Sequence, residues 1–406
     1  MNEQRQQAYF NLIQRLLNCR SHDAIQEILA ANQELLDVGF LQTVEAVGEM
    51  FSQQGDENTA NWLQGLASYL RNALNLATTV DLQPLSEEEL QAYFQFLIEV
   101  MQATESSRGD SQVVYPLLAN NTDKLNGVLA KILRQWGTKT LREAQADEAE
   151  SIAADIFLFS DLIQQFPLGN KASNMEIAIT GYKVALTVYT SEAFPQEWAT
   201  IQNRLGLAYR ERILGEKAEN IELAIAAFSA ALSVRTQQAF PQDWATTQNC
   251  LGAVYVDRIT GEKAENIELA IAAFSAALSV HTQQDFPQEW AETQYNLGNA
   301  YSERILGEKV ENIELAIIAY SAALRVYTQQ AFPLQWAMTQ NNLGLAYVDR
   351  ITEEKAENIE SAIAAYSAAL SVHTQQDFPL EWATTQYNLG NAYCERILGE
   401  KVENIE

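Results

Sequence analysis

The sequence predicts an all-α protein, a solenoid of stacked helix pairs preceded by a helical N-terminal domain. Three observations carry this. A period of 46 residues runs through the C-terminal part: Trp198, Trp244, Trp290, Trp336 and Trp382 keep this step, as do Pro195, Pro241, Pro287, Pro333 and Pro379. Each unit holds two successive segments whose apolar residues recur at helical spacing. The first 150 residues also read as helical, by periodicity and by N-cap signals.

In chain order, residues 1–150 form the N-terminal domain. Asp56 is placed to cap the segment NTANWLQGLASYL, and Ser86-Glu87-Glu88-Glu89 reads as a capping box before LQAYFQFLIEVM. QAYF recurs at 7–10 and 91–94, and ILAANQEL resembles LLANNTDKL, which suggests two related subdomains, 1–80 and 85–150. The solenoid covers 151–406, beginning with a degenerate repeat at 151–190 whose first helix is expected over Ile152–Phe166. Its Asn174, Ala178 and Tyr182 precede Asn220, Ala224 and Phe228 by one period, and its missing Trp and Leu-Gly suit a terminal capping repeat. Full repeats start at 194, 240, 286 and 332, and an incomplete one at 378.

The third unit illustrates the pattern. Its first helix follows Pro287, which suits an opening turn because it lacks an N–H. Trp290, Leu297, Tyr301 and Ile305 lie on one helical face, and Gly307 reads as the C-terminal stop. The second helix is expected to start at Asn312 as N-cap, with Glu314 complementing the dipole, and to end near Thr328. Its buried stripe is Ile313, Ala316, Ile317, Tyr320, Ala323 and Leu324. Gly298, Ala316 and Ala323 would let the two helices approach closely.

The pattern L-G-x-x-Y followed by A-x-x-x-F/Y-x-x-A, as in Leu205, Gly206, Tyr209, Ala224, Phe228 and Ala231, resembles tetratricopeptide repeats. The resemblance covers about 152–406. It departs from the family in length, 46 residues against about 34. The family's Trp position is Gln here (Gln202, Gln248, Gln294, Gln340, Gln386), and its closing Pro is Thr. The resemblance implies a right-handed solenoid that binds protein or peptide on a concave face lined by the first helices. Mapped onto this sequence, that face holds Thr200, Asn203, Arg210, Asn249, Glu292, Tyr295, Asn299, Ser302, Met338, Asn341, Thr384, Tyr387, Asn391 and Cys394. Residues 281–314 and 373–406 differ at only three positions, and two of these, Glu292/Thr384 and Ser302/Cys394, fall on that face. A constant scaffold with a changing inner surface is what a binding groove requires. Changing Tyr295, Asn299, Tyr387 and Asn391 together is therefore expected to abolish partner capture without lowering the melting temperature.

Composition narrows the partners. Lys plus Arg is 26 and Asp plus Glu 53, a formal net charge of −27. Such a chain lacks the basic footprint that nucleic acid or an anionic membrane needs, and any steering favours basic partners. No run approaches the roughly 18 apolar residues of a membrane span. The N-terminus carries no signal-peptide pattern, and Cys19, Cys250 and Cys394 are too few and scattered for a disulfide framework, so a cytoplasmic protein is expected.

Catalytic and metal signatures are missing: no Walker loop, no H-E-x-x-H and no C-x-x-C occurs, so no enzyme activity, cofactor or metal is expected. Cys19 and His22 lie close in sequence but without an orienting partner. His373 and Cys394 fall roughly 21 Å apart along the helix rise. His281 and His373 are expected at helix C-termini, where a cation is favoured. Glu211, Asp257, Glu303, Asp349 and Glu395 form an acidic column, each followed by Arg. It reads either as a ladder that attracts basic segments or, with a slight preference, as pairing of the arginines with carboxylates of neighbouring repeats.

The N-terminal segment followed by these repeats also resembles the front of cyanobacterial proteins that end in a caspase-like CHAT peptidase domain. That resemblance implies, as an alternative, a sensor or regulatory arm of such a peptidase, with no peptidase residue present here. The sequence closes on ERILGEKVENIE, which repeats 303–314 and stops in the first turn of a second helix. The expectation is a fragment, or an open end completed by another chain through self-association.

Overall fold

The computed structural model describes residues 86–352 and 354–396, and before them positions 5, 9, 12, 13, 15–17, 32, 35, 40, 41, 43, 44, 47, 48, 51, 59, 63, 66 and 67. Every regular element among these residues is helical. The chain divides into two units, Met1–Phe96 with Ile213–Lys217, and Leu97–Arg212 with Ala218–Glu406. The first has a core of Tyr9, Leu12, Ile13, Leu16, Phe40, Val44 and Leu63. Asp56, Cys19, His22 and most of the first copies behind the internal duplication, QAYF at 7–10 and ILAANQEL, lie outside the described residues.

Ser86 makes the expected capping box. Its N–H donates to Glu89 Oε2 at 2.8 Å, and the Glu89 N–H donates to Ser86 Oγ at 3.2 Å, opening α1 (Glu87–Ser107). Asp110 caps α2 (Ser111–Ala119) and Asn126 caps α3 (Gly127–Glu143). The degenerate repeat is α4 (Ala146–Gln165) and α5 (Lys171–Ala185). Its first helix thus begins six residues before Ile152, with Asp147 and Glu148 in the first turn.

The regular hairpins follow: α6 (Pro195–Glu211) and α7 (Lys217–Val234), α8 (Pro241–Asp257) and α9 (Lys263–Leu278), α10 (Pro287–Glu303) and α11 (Lys309–Ala323), α12 (Pro333–Asp349) and α13 (Lys355–Leu370), then α14 (Pro379–Glu395). Proline stands in the first turn of every first helix. Successive helices pack on their neighbours, α8 on α9, α9 on α10, α10 on α11 and onward to α14, which makes an α-solenoid of 46-residue units.

The Leu-Gly column explains the tight hairpins. A Cβ on Gly206, Gly252, Gly298 or Gly344 would lie 2.6–2.8 Å from the ring of Phe228, Phe274, Tyr320 or Tyr366 in the partner helix. Only a residue without a side chain leaves room for that ring. The same rings also face forward: Tyr320, Ile313 and Ala316 of α11 share a core with Leu343 and Ala346 of α12. Trp290 and Trp336 pack on Ala291, Ala323 and Tyr327, so this column belongs to the hairpin core.

The second helices start earlier than Asn312 suggests. Gly307 adopts φ +81°, Glu308 is extended, and α11 begins at Lys309. The first helix has already ended at Glu303, so Gly307 serves the loop turn and Ile305 projects outward. Asn312 is therefore inside the helix, 3% exposed, and donates to the carbonyls of Leu306 at 2.9 Å and Arg304 at 3.3 Å. It pins the loop instead of capping the helix. Glu314 is not a first-turn dipole partner; it receives Arg350 at 2.8 and 2.9 Å. At the other end α11 stops at Ala323, and tight turns carry the chain to Thr328.

The arginine of each acid–Arg pair reaches one repeat back. Arg212, Arg258, Arg304, Arg350 and Arg396 each fork onto the glutamate 36 residues earlier, Glu176, Glu222, Glu268, Glu314 and Glu360, with Nε–O distances of 2.6–2.8 Å. Two parallel bonds per pair fix orientation as well as distance. The Arg258 guanidinium, helped by the Thr260 hydroxyl, holds the Glu222 carboxyl below its ordinary range, and Arg350 does the same for Glu314.

Candidate functional site

The first helices present one face of the solenoid, and a polar seam stitches them together. Asn296 Nδ2 donates to Asn249 Oδ1, and Asn388 Nδ2 to Asn341 Oδ1, both at 3.2 Å. Between these links Asn342 Nδ2 donates to Asn299 Oδ1 at 3.0 Å and to the Tyr295 hydroxyl at 3.2 Å. The Tyr320 hydroxyl adds a bond to Asn299 Oδ1 at 2.9 Å. Each amide here satisfies a neighbour that burial would otherwise leave unpaired.

Among the described residues, cavities open along this face. One of about 700 Å³ lies at α4 and α6 and includes Leu207 and the Asp161–Arg204 ion pair. The second, about 500 Å³, is walled by Val256, Phe274, Ile313 and Leu345 and edged by Asp257, Glu303 and Asp349. The third, about 230 Å³, lies between α12 and α14 with Tyr295, Met338, Leu380, Thr384 and the His373 ring.

The residues expected on the face divide by environment. Arg210, Asn299 and Ser302 line the second cavity, and Tyr295, Met338, Asn341 and Thr384 the third. Tyr387, at 70% exposure, Asn391 and Cys394 are exposed on α14. Asn203 and Asn249 are buried between repeats: Asn203 Oδ1 accepts from Thr247 Oγ1 at 3.0 Å, and Asn249 Nδ2 donates to the exposed Glu292 at 3.1 Å. The Thr200 hydroxyl receives Arg235 at 3.0 Å. Ser302 Oγ lies 3.2 Å from the Tyr320 hydroxyl. The neighbouring column Asn296, Asn342 and Asn388, one residue further along each helix, was not anticipated, although its period is visible in the sequence.

A second column went unnoticed. Tyr189, Arg235, His281, Tyr327 and His373 stand 46 residues apart, just beyond the second helices, and all are buried. His281 Nδ1 lies 3.4 Å from Thr293 Oγ1 and His373 Nδ1 3.2 Å from Thr385 Oγ1; among the described residues neither Nε2 has a hydrogen-bond partner. The two rings are 1% and 2% exposed. Burial pulls both below the ordinary histidine range, against the smaller opposing pull of Glu289 and Glu381. They are neutral core groups, not cations at helix ends.

The sign of the pH effect follows. The unfolded chain binds a proton near pH ~6.5 while the buried rings resist it, so stability is full above that range and falls as pH drops through it. Asp155, pushed up to about 6 by burial and by Glu105, acts in the opposite sense. The measurement is therefore a difference: thermal unfolding of the wild type should weaken on acidification relative to His281→Tyr/His373→Tyr, which installs the residue that Tyr327 already carries at this register.

Burial, with Glu292 nearby, pushes the Cys250 thiol up to about 12, far from a thiolate at neutral pH. Among the described residues no helix is long and apolar enough to cross a membrane. No protein-family model and no curated protein matches the chain.

Proposed function

We propose that this chain is a non-catalytic interaction scaffold that holds a protein or peptide segment along its first helices, in the manner of tetratricopeptide-like solenoids. One observation supports this most: consecutive first helices leave a file of open cavities along a face whose framework is otherwise locked by asparagine and arginine links. Exposed apolar side chains stand beside them, Met338 at 43%, Leu345 and Tyr387.

The test selects binders from a random peptide library against the full chain and measures them by fluorescence anisotropy. Met338→Glu, Leu345→Glu and Tyr387→Ala should each weaken the selected peptides by about tenfold, at unchanged melting temperature. Ile318→Glu, on an exposed second-helix surface, should change nothing. Binding indifferent to the first three variants would overturn the reading. Tyr295 and Asn299 are unsuitable for this purpose, because their bonds to Asn342 hold the repeats together.

A further inference from the structure

Given a groove that holds peptide, as proposed above, we infer that its occupant carries a basic side chain and a bulky apolar side chain about five residues apart. The two would seat on either side of Asn342, which lines both the second and the third cavity.

The second cavity is built for a cation. Asp257, Glu303 and Asp349 reach it at equivalent positions of three consecutive first helices. Two are already engaged: Asp257 holds Arg210 at 2.9 Å, and Glu303 holds Lys263 at 3.0 Å. Lys355 pairs with Glu395 in the same way, at 3.1 Å. The corresponding partner of Asp349 would be Lys309, but aspartate is one methylene shorter than glutamate, and no such ion pair is present among the described residues. Asp349 therefore faces the cavity as an exposed carboxylate without a cationic partner, above a floor that carries Asn299 and the Tyr320 hydroxyl. A lysine or arginine head entering here would gain a charge-assisted bond, and the net charge of −27 steers it inward.

The third cavity has another character. Met338 stands at its rim with Leu380, which is 78% exposed, and the neutral His373 ring and Tyr295 form part of its wall. At about 230 Å³ it has room for one leucine or phenylalanine side chain. Covering Leu380 and Met338 would remove apolar surface from water. Both cavities are lined from α12, the second toward its C-terminal end and the third toward its N-terminal end. Asp349 and Met338 stand 11 residues apart on that helix, about 16 Å at 1.5 Å per residue, and an extended chain advances about 3.3 Å per residue, which gives the spacing of about five residues.

The experiment uses the full chain and four labelled peptides in a Ser/Gly background. Two place Arg and Leu about five residues apart, in either order; one replaces Arg by Glu and one replaces Leu by Ala. Anisotropy should show at least one Arg–Leu order binding, with either replacement weakening it about tenfold. Asp349→Asn should cost most of the advantage of Arg over Glu, an advantage that shrinks with added salt. The chain has only three histidines, so ring 15N–1H spectra locate the peptide. The His373 resonance should shift, while His281, two repeats away, stays. Equal binding of the Glu peptide, failure of both Arg–Leu orders, or binding that leaves His373 unmoved would overturn the inference. If library peptides of other chemistry still respond to Met338→Glu and Leu345→Glu, the groove stands and only this occupant is wrong. If none responds, both fall.

Discussion

Gly298→Ala is expected to destabilise the solenoid, although it adds one methyl group and raises helix propensity. The new Cβ would lie 2.6 Å from Tyr320, whose ring is also packed against Leu343 and Ala346 of the next repeat. The ring cannot retreat without opening that second interface, so the overpacking cost is about 1–3 kcal/mol. The propensity gain of roughly 1 kcal/mol offsets only part of it. Gly390 provides the control. Among the described residues no atom lies within 4 Å of a Cβ built there, so Gly390→Ala should be neutral or slightly stabilising. Urea unfolding of the two variants separates the effects; equal midpoints would refute the close-approach account.

Asn312→Asp should be comparably harmful, and it distinguishes two roles for this asparagine. At a helix N-cap, aspartate is as good as asparagine. Asn312 instead uses Nδ2 to donate to the Leu306 and Arg304 carbonyls from a buried position. A carboxylate has no hydrogen to give, and its oxygens would face those carbonyl oxygens. Losing the donor leaves buried acceptors unpaired at about 1–3 kcal/mol. The nearby Arg304 Nη1, 3.4 Å from Oδ1, recovers a fraction of this. A thermal midpoint within error of wild type would restore the capping role.

The general plan of the solenoid is readable in the letters because its determinants recur every 46 residues. Pro287 announces a helix start, and Leu297-Gly298 marks where a ring must enter. The arginine column is legible for the same reason: a charge present in every unit implies a partner in every unit. What fails is the position of Asn312. Asparagine is equally suited to a cap and to a buried amide, and the choice depends on Gly307 turning the chain at φ +81°. The asparagine seam between first helices was legible only to within one residue. Adjacent asparagines such as Asn341 and Asn342 have equal claims until the crossing of neighbouring helices decides which one meets the next repeat. The buried His281 and His373 were misread because helix ends expose side chains in isolation, and only the stacked Thr293 and Thr385 helices cover them.

Among the described residues these arginine forks onto glutamate each span 36 residues, from one repeat to the one before it. A lock of that reach is indifferent to the total number of units. Removing or adding one whole 46-residue block brings an Arg and a Glu of the same design face to face at the new junction. The arginine lock by itself therefore sets no length for the array. Each added block extends the face of first helices by one helix.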